Sequence, residues 1–170
     1  MEKTIAVLNQ MRDERIVESY AIGGGIAAMY YIDPVSTFDL DVFVILPNDS
    51  GGLISLDPIY SWLKKHGYMP AREQVIIEGV PVQFIPIYNE LIKDAVRNAL
   101  QKNYGVSPAL IVGPEYLMAI MVQTGRPKDR DRCIKFMEET KISETVLSAI
   151  LEKHHLSDAF LELKRNNYGK

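Results

Sequence analysis

Residues 38–46 read Phe-Asp-Leu-Asp-Val-Phe-Val-Ile-Leu. Successive side chains of an extended chain point to opposite sides. This segment is therefore expected to be a strand with Phe38, Leu40, Val42, Val44 and Leu46 on one face and Asp39, Asp41, Phe43 and Ile45 on the other. Pro47-Asn48-Asp49 and Gly51-Gly52 are expected to end it in a loop. Phe43 and Ile45 imply that the aspartate face is itself partly buried. Two neighbouring carboxylates on such a face repel each other and are costly to desolvate. A divalent cation relieves both problems, and an all-oxygen donor set with room for water and phosphate oxygens suits magnesium or manganese.

Upstream, Val17 to Ile22 is short and apolar and runs into Gly23-Gly24-Gly25. A glycine-rich turn between a strand and a helix lets the backbone approach a phosphate closely, with free helix N–H groups facing it. Taken alone, the glycines describe an ordinary turn and the aspartates a solvated strand face. Together, separated by one short helix from Ile26 to Tyr31, they form the equipment for phosphoryl or nucleotidyl transfer.

The rest of the chain fills out an α/β structure. An amphipathic helix carries Ile5, Leu8 and Met11, and a helix over 54–66 carries Ile59, Trp62 and Leu63. Glu73 to Glu78 and Val80 to Ile87 form a hairpin pattern around Gly79, with Pro81 and Pro86 pointing to a strand at an edge or a sheet end. A helix is expected from Asn89 to about Leu100, a short strand over Ala109 to Val112, and helices from Pro114 onward. The hairpin interrupts the alternation a parallel sheet needs, so a small mixed sheet flanked by helices is expected. The division is a core over residues 1–107 and a helical C-terminal extension over 108–170, packed on that core.

Bulk properties narrow the partners. The 170 residues carry a net charge of −3 with 47% hydrophobic residues, which gives an ordinary globular composition and no overall pull toward nucleic acid. Cys133 is the single cysteine, so no disulfide within the chain and no cysteine-rich zinc site can form, and a spectator thiol is expected. His154-His155 reads as a solvated helix end. No apolar run reaches membrane-span or signal-peptide length, and the expectation is a cytoplasmic location without membrane partners.

Gly24-Gly25, the spacer from Ile26 to Phe38, and Asp39-Leu40-Asp41 resemble the signature of the nucleotidyltransferase superfamily with the DNA polymerase beta-like fold. Glu115-Tyr116-Leu117-Met118-Ala119-Ile120 and Thr124-Gly125-Arg126-Pro127-Lys128-Asp129-Arg130 resemble the AbiEii-type abortive-infection toxin branch, which carries an Arg-x-Lys-Asp element near the nucleotide. The resemblance implies that Gly24 and Gly25 hold a nucleoside triphosphate, Asp39 and Asp41 a magnesium or manganese ion, and Lys128 and Arg126 phosphate charge. It also implies transfer of a nucleoside monophosphate to a protein side chain, a transfer RNA end or a small molecule, and makes an antitoxin a candidate partner. Two positions depart from the pattern. Gln83 stands where the superfamily keeps a third carboxylate, and an amide is neither anion nor base. Met121 stands where the toxin branch often has a lysine. Glu78, near the hairpin turn, is a possible stand-in for the missing carboxylate, although a solvated turn residue is its simpler role. The alternative to an active transferase is a degenerate relative that binds a nucleotide or a partner protein without turnover.

Overall fold

The computed structural model describes residues 1–47, 55–71 and 74–168. The expected loop at Asn48–Gly52 and the expected element starts at Ile54 and Glu73 lie outside them. The strands are β1 (Ser19–Ile22), β2 (Leu40–Ile45), β3 (Pro70–Ala71), β4 (Gln74–Ile77), β5 (Val80–Pro86), β6 (Leu100–Tyr104) and β7 (Ser107–Ile111). The helices are α1 (Glu2–Asp13), α2 (Gly24–Ala28), α3 (Asp57–Lys65), α4 (Glu90–Arg97), α5 (Pro114–Thr124), α6 (Pro127–Glu139), α7 (Glu144–Lys153) and α8 (Ser157–Tyr168).

One seven-stranded sheet runs in the order β3-β4-β5-β2-β1-β7-β6. It is mixed: β2 runs parallel to β5 and β1 parallel to β7, while β1–β2, β4–β5 and β6–β7 are antiparallel. Tyr20 pairs with Val44 and Ile22 with Val42, so these four side chains share a face. Leu8 and Met11 of α1 gather against that face with Tyr20, Val42, Val44 and Phe84. The opposite face carries Asp41, Phe43, Gln83 and Ile85 and opens toward α5 and α6. Trp62 is buried, and its indole N–H donates to Glu14 Oε2 at 2.5 Å, tying α3 to the end of α1.

Several expectations change in detail. The acidic strand is shorter than 38–46: it begins at Leu40, and Phe38 is 88% exposed rather than in the core. β5 is an interior strand, with Pro81 and Pro86 near its two ends, where a missing N–H interrupts the ladder least. α4 stops at Arg97, and residues 100–104 leave it as β6, hairpinned to β7. β7 spans residues 107–111 inside the sheet, so the sheet runs on past residue 107. His154 is not a solvated end: its Nε2 lies 2.9 Å from Asp94 Oδ2, and Lys153 Nζ donates to the same oxygen at 2.6 Å, fastening α7 to α4. Cys133 is buried, and desolvation, with the Asp129 charge second, pushes its thiol up to about 12, which keeps it an unreactive thiol.

Candidate active site

β1 ends in a turn that only glycine fits. Gly23 donates its N–H to the Asp41 carbonyl at 2.9 Å, locking the turn to β2. Gly24 follows at φ +58°, in the left-handed region that side chains disfavour, and a Cβ there would overlap the Asp41 carboxylate. A Cβ at Gly25 would stand 2.7 Å from Cβ of Thr37. The close approach of backbone to carboxylate is thus built from both strands, and it sets the acidic pair beside the glycine turn.

Asp39 lies just ahead of β2, and Asp41 lies within it. Gln74 Nε2 donates to Asp39 Oδ2 at 3.1 Å, and Thr37 Oγ1 lies 3.5 Å from Oδ1. Burial, followed by the charge of Asp39, raises the Asp41 carboxyl above its ordinary value. The positive charges of Lys128, Arg126 and Arg132 pull it the other way. Two half-buried carboxylates side by side repel each other, and a divalent cation would relieve that repulsion. Their donor set is all oxygen, they share a cleft, and the donors fit a magnesium or manganese ion.

Gln83 is in register with Asp41 across the parallel β2–β5 pair. Its strand neighbours Val82 and Phe84 are buried in the opposite direction, so the amide faces the cleft. The far wall comes from the C-terminal helices. Leu117, Ile120, Met121 and Thr124 follow helical spacing along α5 and line the cleft as one stripe. Met121 is buried in that stripe. Glu78 is elsewhere, at the β4–β5 turn, where it accepts from Tyr68 Oη at 2.7 Å.

The Arg-x-Lys-Asp element forms the start of α6. Asp129 is 2% exposed, accepts from Thr124 Oγ1 at 2.8 Å and from Arg126 Nε at 2.5 Å, and has Arg132 Nη1 at 4.0 Å from its other oxygen. Arg132 also donates to the Ser36 carbonyl at 3.4 Å, across to the segment that leads into Asp39. Lys128 is exposed and has no ion-pair partner among the described residues.

All seven sequence-predicted positions, Gly24, Gly25, Asp39, Asp41, Gln83, Arg126 and Lys128, line one cleft of about 480 Å³. That volume is within the range of small-molecule sites. Tyr88 and Phe38 also line it, as exposed rings at its mouth. Sequence reasoning missed Gln74, Tyr88, Asp129 and Arg132. Only Asp129 carried a signal, as the acid of the Arg-x-Lys-Asp element.

No family model matches the chain, and no curated protein matches it in sequence. Solved structures do match. An antigenic nucleotidyltransferase-like protein from Paracoccidioides brasiliensis superposes with a TM-score of 0.57 at 16% identity, over 99% of this chain and 97% of that one. A solution structure of the antibiotic-resistance factor ANT(2'')-Ia superposes at 0.49 with 14% identity, over 99% of this chain and 100% of that one. A crystal structure of ANT(2'')-Ia with adenylyl-2''-tobramycin superposes at 0.48 with 12% identity, over 95% and 97%. The mixed sheet, its flanking helices and the first of these neighbours together establish that the chain has the nucleotidyltransferase fold.

Proposed function

We propose that the chain is a divalent-metal-dependent nucleotidyltransferase that moves a nucleoside monophosphate from a nucleoside triphosphate to an acceptor. The observation that carries this reading is the convergence of the glycine turn, the acidic pair and the α6 cations on one cleft. Asp39 and Asp41 would hold magnesium or manganese, which supplies charge neutralisation and Lewis-acid polarisation at the phosphates. The backbone at Gly24 and Gly25, which lines the cleft, would contact the triphosphate. Lys128 and Arg126 offset its negative charge, with Arg126 held in place by Asp129. In the reaction, the acceptor nucleophile bonds to the α-phosphorus, the bond from that phosphorus to the bridging oxygen breaks, pyrophosphate leaves, and the acceptor's proton passes to solvent water. Gln83 donates or accepts a hydrogen bond beside the reacting groups and does not take up the acceptor's proton.

The likeness of residues 115–130 to the AbiEii-type branch supports a toxin-like role with a partner antitoxin. The acceptor would be a protein side chain, a transfer RNA end or a small molecule. A second reading is favoured by one observation: an amide at residue 83 stands in register with Asp41, at the place of the superfamily's third carboxylate. On that reading the cleft binds a nucleotide, or the chain binds a partner protein, without turnover. Titration of ATP, CTP, GTP and UTP with and without magnesium, followed by an assay for pyrophosphate release, separates the two. Magnesium-dependent binding with release supports the transferase, and binding without release supports the second reading. No binding of any triphosphate would defeat the transferase and leave only the partner-protein form of the second reading.

A further inference from the structure

We propose that Gln74 is the positioning residue of the acidic pair, its side-chain amide holding the Asp39 carboxylate in the orientation that a divalent ion requires. The inference rests on the reading of Asp39 and Asp41 as metal ligands. Gln74 opens β4, one residue before Val75, which pairs with Val82 on β5. Continuing that antiparallel register by one residue sets Gln74 beside Gln83, and Gln83 is itself beside Asp41 on β2. Three strands thus present Gln74, Gln83 and Asp41 as a row on the cleft face. From this row Gln74 Nε2 donates to Asp39 Oδ2 at 3.1 Å. The Thr37 hydroxyl, 3.5 Å from Oδ1, is at the limit of hydrogen bonding. Gln74 is not among the residues that line the cleft. It touches Asp39 without lining the cleft, and so acts through it.

The choice of an amide has a physical reason. A lysine or arginine at this position would also fix Asp39, but its positive charge would repel the cation and compete for the carboxylate. A neutral donor occupies one lone pair of Oδ2, brings no net charge, and leaves the remaining lone pairs for the ion. Residues that orient ligands in this way change metal affinity or activity by about 10- to 100-fold when they are removed. The same bond ties β4, which pairs with β3, to the acidic pair, so the place of these strands and the orientation of Asp39 are set together.

The test uses the full chain in three forms: wild type, Gln74→Leu, which removes the donor at similar volume, and Gln74→Lys, which keeps a donor but adds charge. Binding of Mn²⁺ is followed by electron paramagnetic resonance, and the melting temperature of each metal-free protein is recorded. The expected result is Mn²⁺ binding about tenfold weaker in Gln74→Leu, at least as weak in Gln74→Lys, and metal-free melting temperatures like that of wild type. Leucine-variant affinity within twofold of wild type overturns the inference while leaving the metal site intact. A fall in affinity accompanied by lower metal-free melting temperatures in both variants also overturns it, since that shows a structural role. A wild type that binds no Mn²⁺ overturns the metal reading itself, and this inference with it.

Discussion

The backbone of Gly24 lies against the carboxylate of Asp41, so closely that a methyl group added at residue 24 would overlap Oδ2. Gly24→Ala therefore meets two obstacles: a left-handed φ of +58° and the displacement of Asp41. The backbone strain alone costs about 1–2 kcal/mol. The expected outcome is a lower melting temperature together with loss of metal-dependent nucleotide binding, checked by thermal unfolding and calorimetric titration. Retention of full nucleotide affinity would show that the Asp41 carboxylate can move without consequence.

Asp41→Asn should act in the opposite direction on the metal-free protein. Burial and the Asp39 charge raise the Asp41 carboxyl above 3.8, so the fold favours its protonated form. For a raised carboxyl, the stabilising contribution is full below the unfolded value and is lost as pH rises through the folded value. Asparagine carries no such dependence. Without metal, the variant should melt at or above the wild-type temperature, with the gap opening as pH rises above roughly 4. Magnesium should raise the wild type and leave the variant nearly unmoved. Earlier unfolding of the metal-free variant at pH 7 would assign Asp41 a structural role.

Gln83→Glu places a third carboxylate in register with Asp41. Three like charges on one partly buried face should lower the metal-free melting temperature and tighten Mn²⁺ binding, because the ion then neutralises an additional anion. Both effects are read from melting curves with and without Mn²⁺. An unchanged metal affinity would mean that residue 83 does not reach the ion.

Lys128 and Asp129 adjoin in sequence but should respond differently. Lys128 is exposed, so Lys128→Met should weaken triphosphate binding by about tenfold, or 1.4 kcal/mol, and leave the melting temperature unchanged. Asp129 is buried under Thr124, Arg126 and Arg132, so Asp129→Asn should cost about 1–3 kcal/mol of stability and weaken triphosphate binding by releasing Arg126. Thermal unfolding and calorimetry on both variants check the contrast, and equal destabilisation by the two substitutions would contradict it.

The parts of this site that follow from local periodicity were legible in the sequence. A two-residue repeat predicts Asp39 and Asp41 on one side, and both do line the cleft, although Asp39 sits in the bend just before β2; Gln83 faces the same cleft because Val82 and Phe84 turn into the core. The α5 helix was expected, but the stripe from Leu117 to Thr124 that lines the cleft was not read from the sequence. Phe38 was misplaced because alternation carries no marker of where a strand begins, and the chain reaches β geometry only at Leu40. The β6 strand was missed because Leu-Gln-Lys-Asn-Tyr is exposed throughout and shows no buried alternation. Gln74 and Arg132 were missed for a different reason. Their partners, Asp39 and Ser36, lie 35 and 96 residues away in sequence, and no local pattern encodes such contacts.

The most direct test of the account is a crystal structure of the chain grown with Mn²⁺ and a non-hydrolysable nucleoside triphosphate, read at the manganese absorption edge. The account predicts one anomalous peak within about 2.0–2.3 Å of carboxylate oxygens from both Asp39 and Asp41. It also predicts that the triphosphate lies between the Gly24–Gly25 backbone and Lys128. A nucleotide bound elsewhere, or an ordered nucleotide in this cleft with no manganese on the two aspartates, would contradict it.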